Sequence, residues 1–343
     1  MDFTLGETQQ AVAQLAAQVL TGADPWKELA QAGLLSLGED GLGLLDTAVL
    51  LTEVGKRAPS MKPLATLMTG ALPVLRWGHA DLKQALLPGV ASGELLLTAA
   101  LREPSAPRPA PPATAVTDGT ITGLKIGVPY ADQSHLLLVP ARLGPPGSMI
   151  VNSSGQIAPQ TVHDHGVALV RPGAEGVELT RTPSSSGEPE YALRLDRTPV
   201  EGMLGGADCV RDLYQLAVAG TCALADGAVA GALALTRDYV ATREQFGRPL
   251  AAFQAVSQQI ADVWIASRTM HLAALSACWR LAEGRDAAAD LAVAGYWCAE
   301  QAPRSVRLCH HLHGGIGMDV TYPLHRFSSL VADLTRFLPC SST

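Results

Sequence analysis

Proline divides this chain. Of its 23 prolines, 14 fall between Leu95 and Pro199. No long helix survives that density, because proline lacks a backbone N–H and its ring clashes with the preceding turn. Between the breaks stand short runs of strand-forming character: LLLTAAL, TAVTDGTITGLKIGV, SHLLLVPA, SMIVNS, VALVRP and YALRL. The TDGT stretch, with Asp118 and Gly119 at its centre, predicts a tight antiparallel hairpin. The middle of the chain therefore reads as a small β domain.

Helical periodicity frames it on both sides. Thr8 to Leu20 sets Val12, Leu15, Ala16, Val19 and Leu20 on one stripe. Further helices are expected near Lys27 to Leu34, Leu44 to Val54, Met61 to Leu75 and Asp81 to Leu87, the last ended by Pro88-Gly89. After the β segment the helices are longer: Cys209 to Glu244, Pro249 to Glu283, Ala287 to His313 with a tolerated break at Pro303, and Tyr322 to about Phe337. Pro249 suits the first position of a helix, and Gly314 with Gly315 suits a helix end. The expected domains are 1–94, 95–204 and 205–343, and no internal repeat is visible.

Composition narrows the classes of function. The chain is 48% hydrophobic but only 5% aromatic, so small aliphatic residues that suit close helix packing dominate. A formal net charge of -7 argues against nucleic acid as partner. Six scattered cysteines (Cys209, Cys222, Cys278, Cys298, Cys309, Cys340) form no C-x-x-C pair, which predicts buried, reduced thiols in a cytosolic protein. The N-terminus lacks a basic and apolar leader pattern. Leu216 to Leu235 is long enough to span a bilayer, but Asp226 sits in its middle. A buried core helix is the expected outcome, with no membrane span.

Two clusters could carry chemistry. TREQFGRPLAAFQ (Thr242 to Gln254) brings Arg243, Gln245, Phe246, Arg248 and Gln254 to a helix junction. An arginine beside a helix N-terminus can cradle a pyrophosphate. From the residues alone, a solvated turn with one packed phenylalanine is the more ordinary alternative. CHHLHGGIGMDVTYPLHR (Cys309 to Arg326) invites a metal reading, yet His310, His311 and His313 lack the i, i+4 pairing of H-E-x-x-H sites, so no metal is expected. Gly314, Gly315 and Gly317 suit close approach of backbone to a phosphate or another subunit.

The architecture with these two motifs, in this order, resembles the acyl-CoA dehydrogenase family over essentially the whole chain. That resemblance implies a mainly α fold with a central β domain: an N-terminal helical domain, a middle β-barrel-like domain and a C-terminal four-helix bundle. It also implies FAD as cofactor. Carried over by motif position, Arg243, Gln245, Phe246 and Gln254 would grip the pyrophosphate and adenosine half of a flavin held mainly by a neighbouring subunit. His311, Gly314 and Gly315 would be the companion contacts. LCHHLHGG, LLTEVGKRAP, AALREP and DLTRFL further resemble the shorter, base-lacking subunit of heteromeric (α2β2) actinobacterial steroid side-chain acyl-CoA dehydrogenases. The implied activity is α,β-desaturation of a steroid acyl-CoA, with an electron-transfer acceptor downstream and an unlike subunit bearing the catalytic glutamate.

The departures from the family pattern agree with such a division. The family's glutamate position falls on Leu338, and its alternative position on Ala217, neither of which can take a proton. The Trp-x-Thr tract that covers the flavin ring falls on Gly127 and Pro129. Glu103 and Pro104 survive from the flavin and substrate loop, but a proline-rich run replaces the rest. No catalytic residue is therefore assigned to this chain. Two alternatives stay open. One is a self-sufficient homomeric enzyme with a displaced base among Asp212, Asp226, Asp319 and Asp333; the ordinary roles of these four are solvated helix ends for Asp212 and Asp333, a helix-packing bond for Asp226 and a loop cap for Asp319. The other is a non-enzymatic scaffold subunit.

Overall fold

The computed structural model describes residues 3–38, 41–57, 60–104, 112–144, 149–151, 157–159 and 165–338. Five helices come first: α1 (Glu7–Val19), α2 (Pro25–Gln31), α3 (Leu44–Arg57), α4 (Leu72–Trp77) and α5 (Ala80–Ala91). Ten strands follow: β1 (Leu97–Ala99), β2 (Ala115–Thr117), β3 (Thr120–Pro129), β4 (Leu136–Leu143), β5 (Met149–Val151), β6 (Ile157–Pro159), β7 (His165–Val170), β8 (Val177–Thr182), β9 (Glu190–Pro199) and β10 (Gly202–Gly205). Beyond them lie α6 (Ala207–Thr242), a two-residue hairpin of β11 (Glu244–Gln245) and β12 (Arg248–Pro249), α7 (Gln254–Ala282), α8 (Ala288–His313) and α9 (Leu324–Thr335). By contact the chain forms two compact units. One comprises Met1–Leu34, Gly41–Leu64 and Val218–Thr343; the other comprises Leu35–Asp40 and Ala65–Ala217, so the division falls within α6.

The second unit carries the sheet, ordered β10-β7-β4-β2-β3-β9-β8 with β1 also on β4. Pairing is antiparallel except where β1 and β2 run parallel to β4. Asp118 (φ 49°) and Gly119 (φ 74°) form the expected turn between β2 and β3. Both left-handed positions fall on residue types that tolerate them, which is why this hairpin was readable. Ile121, Leu137, Val139, Val170 and Leu193 fill the core of this unit.

In the first unit, α7 packs on α8, α8 on α9, and α3 on both α1 and α7. Against α6, α3 comes close enough for backbone contact. A Cβ on Gly227 would stand 2.0 Å from Thr52 O, and one on Gly55 2.3 Å from Leu224 O. Thr52 Oγ1 also donates to Ala223 O at 3.1 Å. The small-residue composition thus has a use: it lets two helix backbones touch. Gly227→Ala should lower unfolding free energy by about 1–3 kcal/mol, because neither carbonyl nor helix can move aside without repacking. A urea titration showing no loss would mean the contact is looser than this geometry.

Several local expectations need correction. Pro249 does not open a helix; it closes the β11–β12 hairpin, and α7 starts only at Gln254, after a short 3-10 turn. Pro303 does not break α8, and Pro88-Gly89 does not end α5, which continues to Ala91. In each of these two helices the neighbouring turns absorb one missing N–H. Met61 to Leu75 is not a plain α-helix, since Leu64–Ala71 is wound as a wider π-helix leading into α4. The strand β8 was not anticipated. Cys209, Cys222, Cys278, Cys298 and Cys309 are buried and unpaired, and burial pushes the Cys309 thiol up to about 11; Cys340 lies outside the described residues.

Among the described residues, α6 is the one helix long and apolar enough to cross a bilayer. Yet 89% of its apolar window is buried, as a core helix requires. Asp226 in its middle accepts from the His271 ring at 2.8 Å.

Candidate functional site

α6 ends at Thr242, and the chain turns back on itself at once. Glu244 pairs with Pro249 and Gln245 with Arg248, leaving Phe246 and Gly247 at the tip with φ of 53° and 75°. Glycine tolerates that geometry, but phenylalanine does so only at a cost of about 1–3 kcal/mol. The strained Phe246 is also 92% exposed, its ring edge-on to Phe253 with centroids 6.2 Å apart. A bulky apolar side chain held out in water by an unfavourable backbone is not serving this unit's own packing. Leu250 N donates to Arg243 O at 2.8 Å and closes the hairpin base. The Arg248 guanidinium lies 4.1 Å over the Phe253 ring.

Arg243 is exposed, and no ion pair with another described residue holds it. Gln245 is exposed and gives its Nε2–H to Glu244 O at 2.8 Å. Gln254 is the exposed first residue of α7, where free N–H groups carry partial positive charge. Arg243, Gln245, Phe246 and Gln254 thus lie along one hairpin and the helix start that follows it.

The second motif forms the end of α8. Gly314 adopts φ 60° and ψ -137°, and its N–H bonds His310 O and His311 O. Neither Gly314 nor Gly315 has any atom within 4 Å of where a Cβ would be, so the approach to this turn is open. The close contact instead falls on Gly317, whose Cβ would meet His313 Cβ at 3.0 Å. His311 is exposed and lines a cleft of ≈ 770 Å³ with Gln259, Asp262, Arg304 and Arg307. His310 and His313 turn inward. His310 reaches Gly317 O and Ser328 Oγ, and His313 reaches Cys309 O and Tyr322 Oη. Sequence reasoning weighed these two histidines only as metal ligands and passed over Tyr239, which stacks on His313 at 4.5 Å. That stack joins the turn before Arg243 to the residue before Gly314.

Leu338 and Ala217, where the resemblance expects the base positions to fall, are apolar side chains. Both are buried. The four carboxylates that could substitute are each engaged within the chain. Asp212 is buried, accepting from Trp77 Nε1 at 2.7 Å and pairing with Arg76 at 3.1 Å. Asp333 is buried and pairs with Arg336 at 2.7 Å. These two are therefore not solvated helix ends: long cationic or indole side chains fold over them and shut out water. Asp226 holds His271, and Asp319 accepts from Thr321 N and Oγ1, bonds that keep its carboxyl below the usual range.

In the β-bearing unit, Gly127 has φ 64°, and a Cβ there would come within 2.8 Å of Arg102 Nη1. The space beside this strand position is already filled by the chain's own arginine. One turn of strand away, Lys125 is fully buried with Nζ 2.8 Å from Glu103 Oε1. The proline-rich run after Pro104 lies outside the described residues over 105–111.

Comparison with known proteins shows the family of the chain. The family model described as "Acyl-CoA dehydrogenase, N-terminal domain" matches residues 2–94, and that described as "Acyl-CoA dehydrogenase, C-terminal domain" matches residues 212–333. Acyl-CoA dehydrogenase FadE28 of Mycobacterium tuberculosis is 45% identical over 351 residues, spanning 98% of this chain and 95% of that protein. The chain belongs to the acyl-CoA dehydrogenase family. It is thus one chain of an oxidoreductase family, with the family's helical, sheet and helical order. Among solved structures, the ChsE4-ChsE5 complex from Mycobacterium tuberculosis is similar at 29% identity with a TM-score of 0.85, covering 98% of this chain and 94% of that one. The Tcur3481-Tcur3483 steroid ACAD is similar at 31% identity with a TM-score of 0.84, covering 97% and 94%.

Proposed function

We propose that this chain is one subunit of a heteromeric, FAD-dependent acyl-CoA dehydrogenase that α,β-desaturates a steroid side-chain CoA thioester. Bound FAD would supply the hydride acceptor for the β-carbon, and a carboxylate of the unlike subunit would supply the base for the α-proton. This chain's own residues serve the other end of the cofactor. Arg243 would offer its guanidinium to the pyrophosphate, and Gln245, Phe246 and Gln254 would hold the adenosine half. His311 and the open Gly314–Gly315 turn complete the contact.

The residues fit that half of FAD and not the other. The dinucleotide end would meet exposed groups, among them an Arg243 with no ion pair to another described residue, and an unobstructed glycine turn. The flavin-ring end would meet Arg102 packed beside Gly127, and the base positions hold Leu338 and Ala217. The observation that carries the reading is Phe246, exposed at left-handed φ on the hairpin that also bears Arg243. Strain kept on an exposed side chain points to a ligand or partner outside the chain.

An unlike, glutamate-bearing subunit then supplies the base, the ring pocket and most of the acyl-CoA site in an α2β2 assembly. The ChsE4-ChsE5 complex and the steroid ACAD support this, being similar chains that are described as a complex and as steroid-directed. Within this reading the domains are 1–94, 95–204 and 205–343, the location is cytoplasmic, and a separate electron-transfer acceptor reoxidises the flavin. Co-purification with a glutamate-bearing subunit should give yellow complexes holding half as many flavins as chains and active on steroid-CoA thioesters, with neither chain active alone. Turnover by this chain in isolation would overturn the proposal.

A further inference from the structure

His313 is 3% exposed, and each edge of its ring is engaged. Nδ1 lies 2.8 Å from Cys309 O. A carbonyl can only accept, so Nδ1 carries the proton. Nε2, 3.0 Å from Tyr322 Oη, is then the lone pair that accepts from the tyrosine hydroxyl. One face of the imidazole lies on Tyr239, with centroids 4.5 Å apart and planes 18° apart. The Tyr322 ring tilts against it at 5.1 Å. Three segments of one unit thus meet on a single ring: the last turns of α6 and α8, and the loop leading into α9.

What each segment carries gives the meeting its meaning. Tyr239 O accepts from Arg243 N at 2.9 Å, one turn before the hairpin begins. His313 is followed directly by Gly314, and Gly317 of the same turn is held by His310 Nδ1 at 2.8 Å. Burial holds the His313 ring below its usual pKa, and the nearby His310 adds to this against the opposing bond to Cys309 O. The titratable groups facing the ring are Tyr239 from α6, Tyr322 from the loop, and Cys309 and His310 from α8 itself. None supplies a negative charge at neutral pH that would favour an imidazolium.

We infer that His313 is a positioning residue that holds the Arg243 hairpin and the Gly314–Gly315 turn in register, so that two separate motifs present one site to a dinucleotide. The inference rests on the FAD reading above but concerns a residue that does not itself touch the ligand. Its specific content is coupling: disturbing the ring should loosen both motifs at once.

The test uses the complex with the unlike subunit, together with amide hydrogen exchange on this chain without FAD. His313→Ala should speed exchange across 243–250 and 314–319 together and lower FAD retention about tenfold. Tyr322→Phe, which removes only a hydroxyl and keeps the ring, should lower retention about threefold and loosen mainly 314–322. His313→Gln restores a donor and an acceptor without the ring, and should recover part of what alanine loses. If His313→Ala fails to fold, the Tyr322→Phe and His313→Gln variants carry the test. Unchanged retention and exchange in Tyr322→Phe, or a glutamine variant as poor as alanine, overturns the inference. Arg243→Ala separates the two levels: loss of FAD there with none in the His313 and Tyr322 variants defeats the positioning role alone, whereas no loss in Arg243→Ala defeats the FAD reading itself.

Discussion

Lys125→Met should cost this protein about 3–5 kcal/mol of stability, as expected when one member of a buried ion pair is removed. Lys125 is 0% exposed, and its ammonium sits 2.8 Å from Glu103 Oε1. Methionine fills much the same volume, so little of the loss would come from a cavity. The cost arises because Glu103 keeps its charge and its place. That carboxylate also accepts from Ala113 N, Thr114 N and Thr114 Oγ1, which satisfy its lone pairs without neutralising it. The double variant Lys125→Met with Glu103→Gln should recover most of the loss, since an apolar and amide pair leaves no charge behind.

The same pair sets a pH dependence with a definite sign. Burial pushes the Glu103 carboxyl up, but the Lys125 charge, its hydrogen bond and those from Ala113 and Thr114 outweigh it, leaving the group below 4.5. A folded-state value below the unfolded one means the carboxylate's contribution is complete above the unfolded value and fades as pH falls through the folded one. Lys125 is shifted down, by burial first, against the pull of Glu103. For this group the unfolded chain holds the proton longer, so stability rises as pH climbs from the folded value towards 10.5. Urea titrations from acid pH for Glu103, and from neutral pH up towards 10.5 for Lys125, check the two points separately. A single variant within about 1 kcal/mol of the parent would show that the pair is not isolated from water as described.

Arg243→Ala should weaken FAD retention by the heteromer about ten- to a hundredfold while leaving the melting temperature of this chain nearly unchanged. The two halves of that expectation have different sources. Retention falls because a guanidinium on a pyrophosphate makes charge-assisted bonds that alanine cannot replace. Stability holds because Arg243 is exposed and pairs with no other described residue. Flavin absorbance after dilution, beside a thermal scan of the FAD-free chain, reads both. A variant that binds FAD normally would leave the scaffold alternative standing, and one that loses stability equally would mean the arginine serves the fold.

The parts of this fold legible in advance were those governed by neighbours in sequence. The Asp118-Gly119 turn, the existence of α1 and the long apolar α6 each follow from a local rule of conformation or periodicity, although in the expected α1 stripe Val12, Ala16 and Leu20 are buried while Leu15 is 37% exposed. Prolines were the common source of error. Pro249 was expected to start a helix, and Pro88 and Pro303 to end or interrupt one; instead Pro249 closes a hairpin and the other two lie within continuous helices. A proline states which N–H is missing but not whether packing can spare it. Asp212 was misjudged for a related reason, because its indole partner Trp77 lies 135 positions away.

The sequence by itself determined the order of helical, sheet and helical segments, and it determined that Leu338 and Ala217 can accept no proton. Those properties belong to residue types and their spacing. Only the tertiary structure decided that Lys125 would be buried against Glu103, that Phe246 would stand exposed on a strained turn, and that His310 and His313 would face inward while His311 faces out. A side chain's surroundings come from segments that meet only after folding, and burial, strain and proton placement are set by those surroundings.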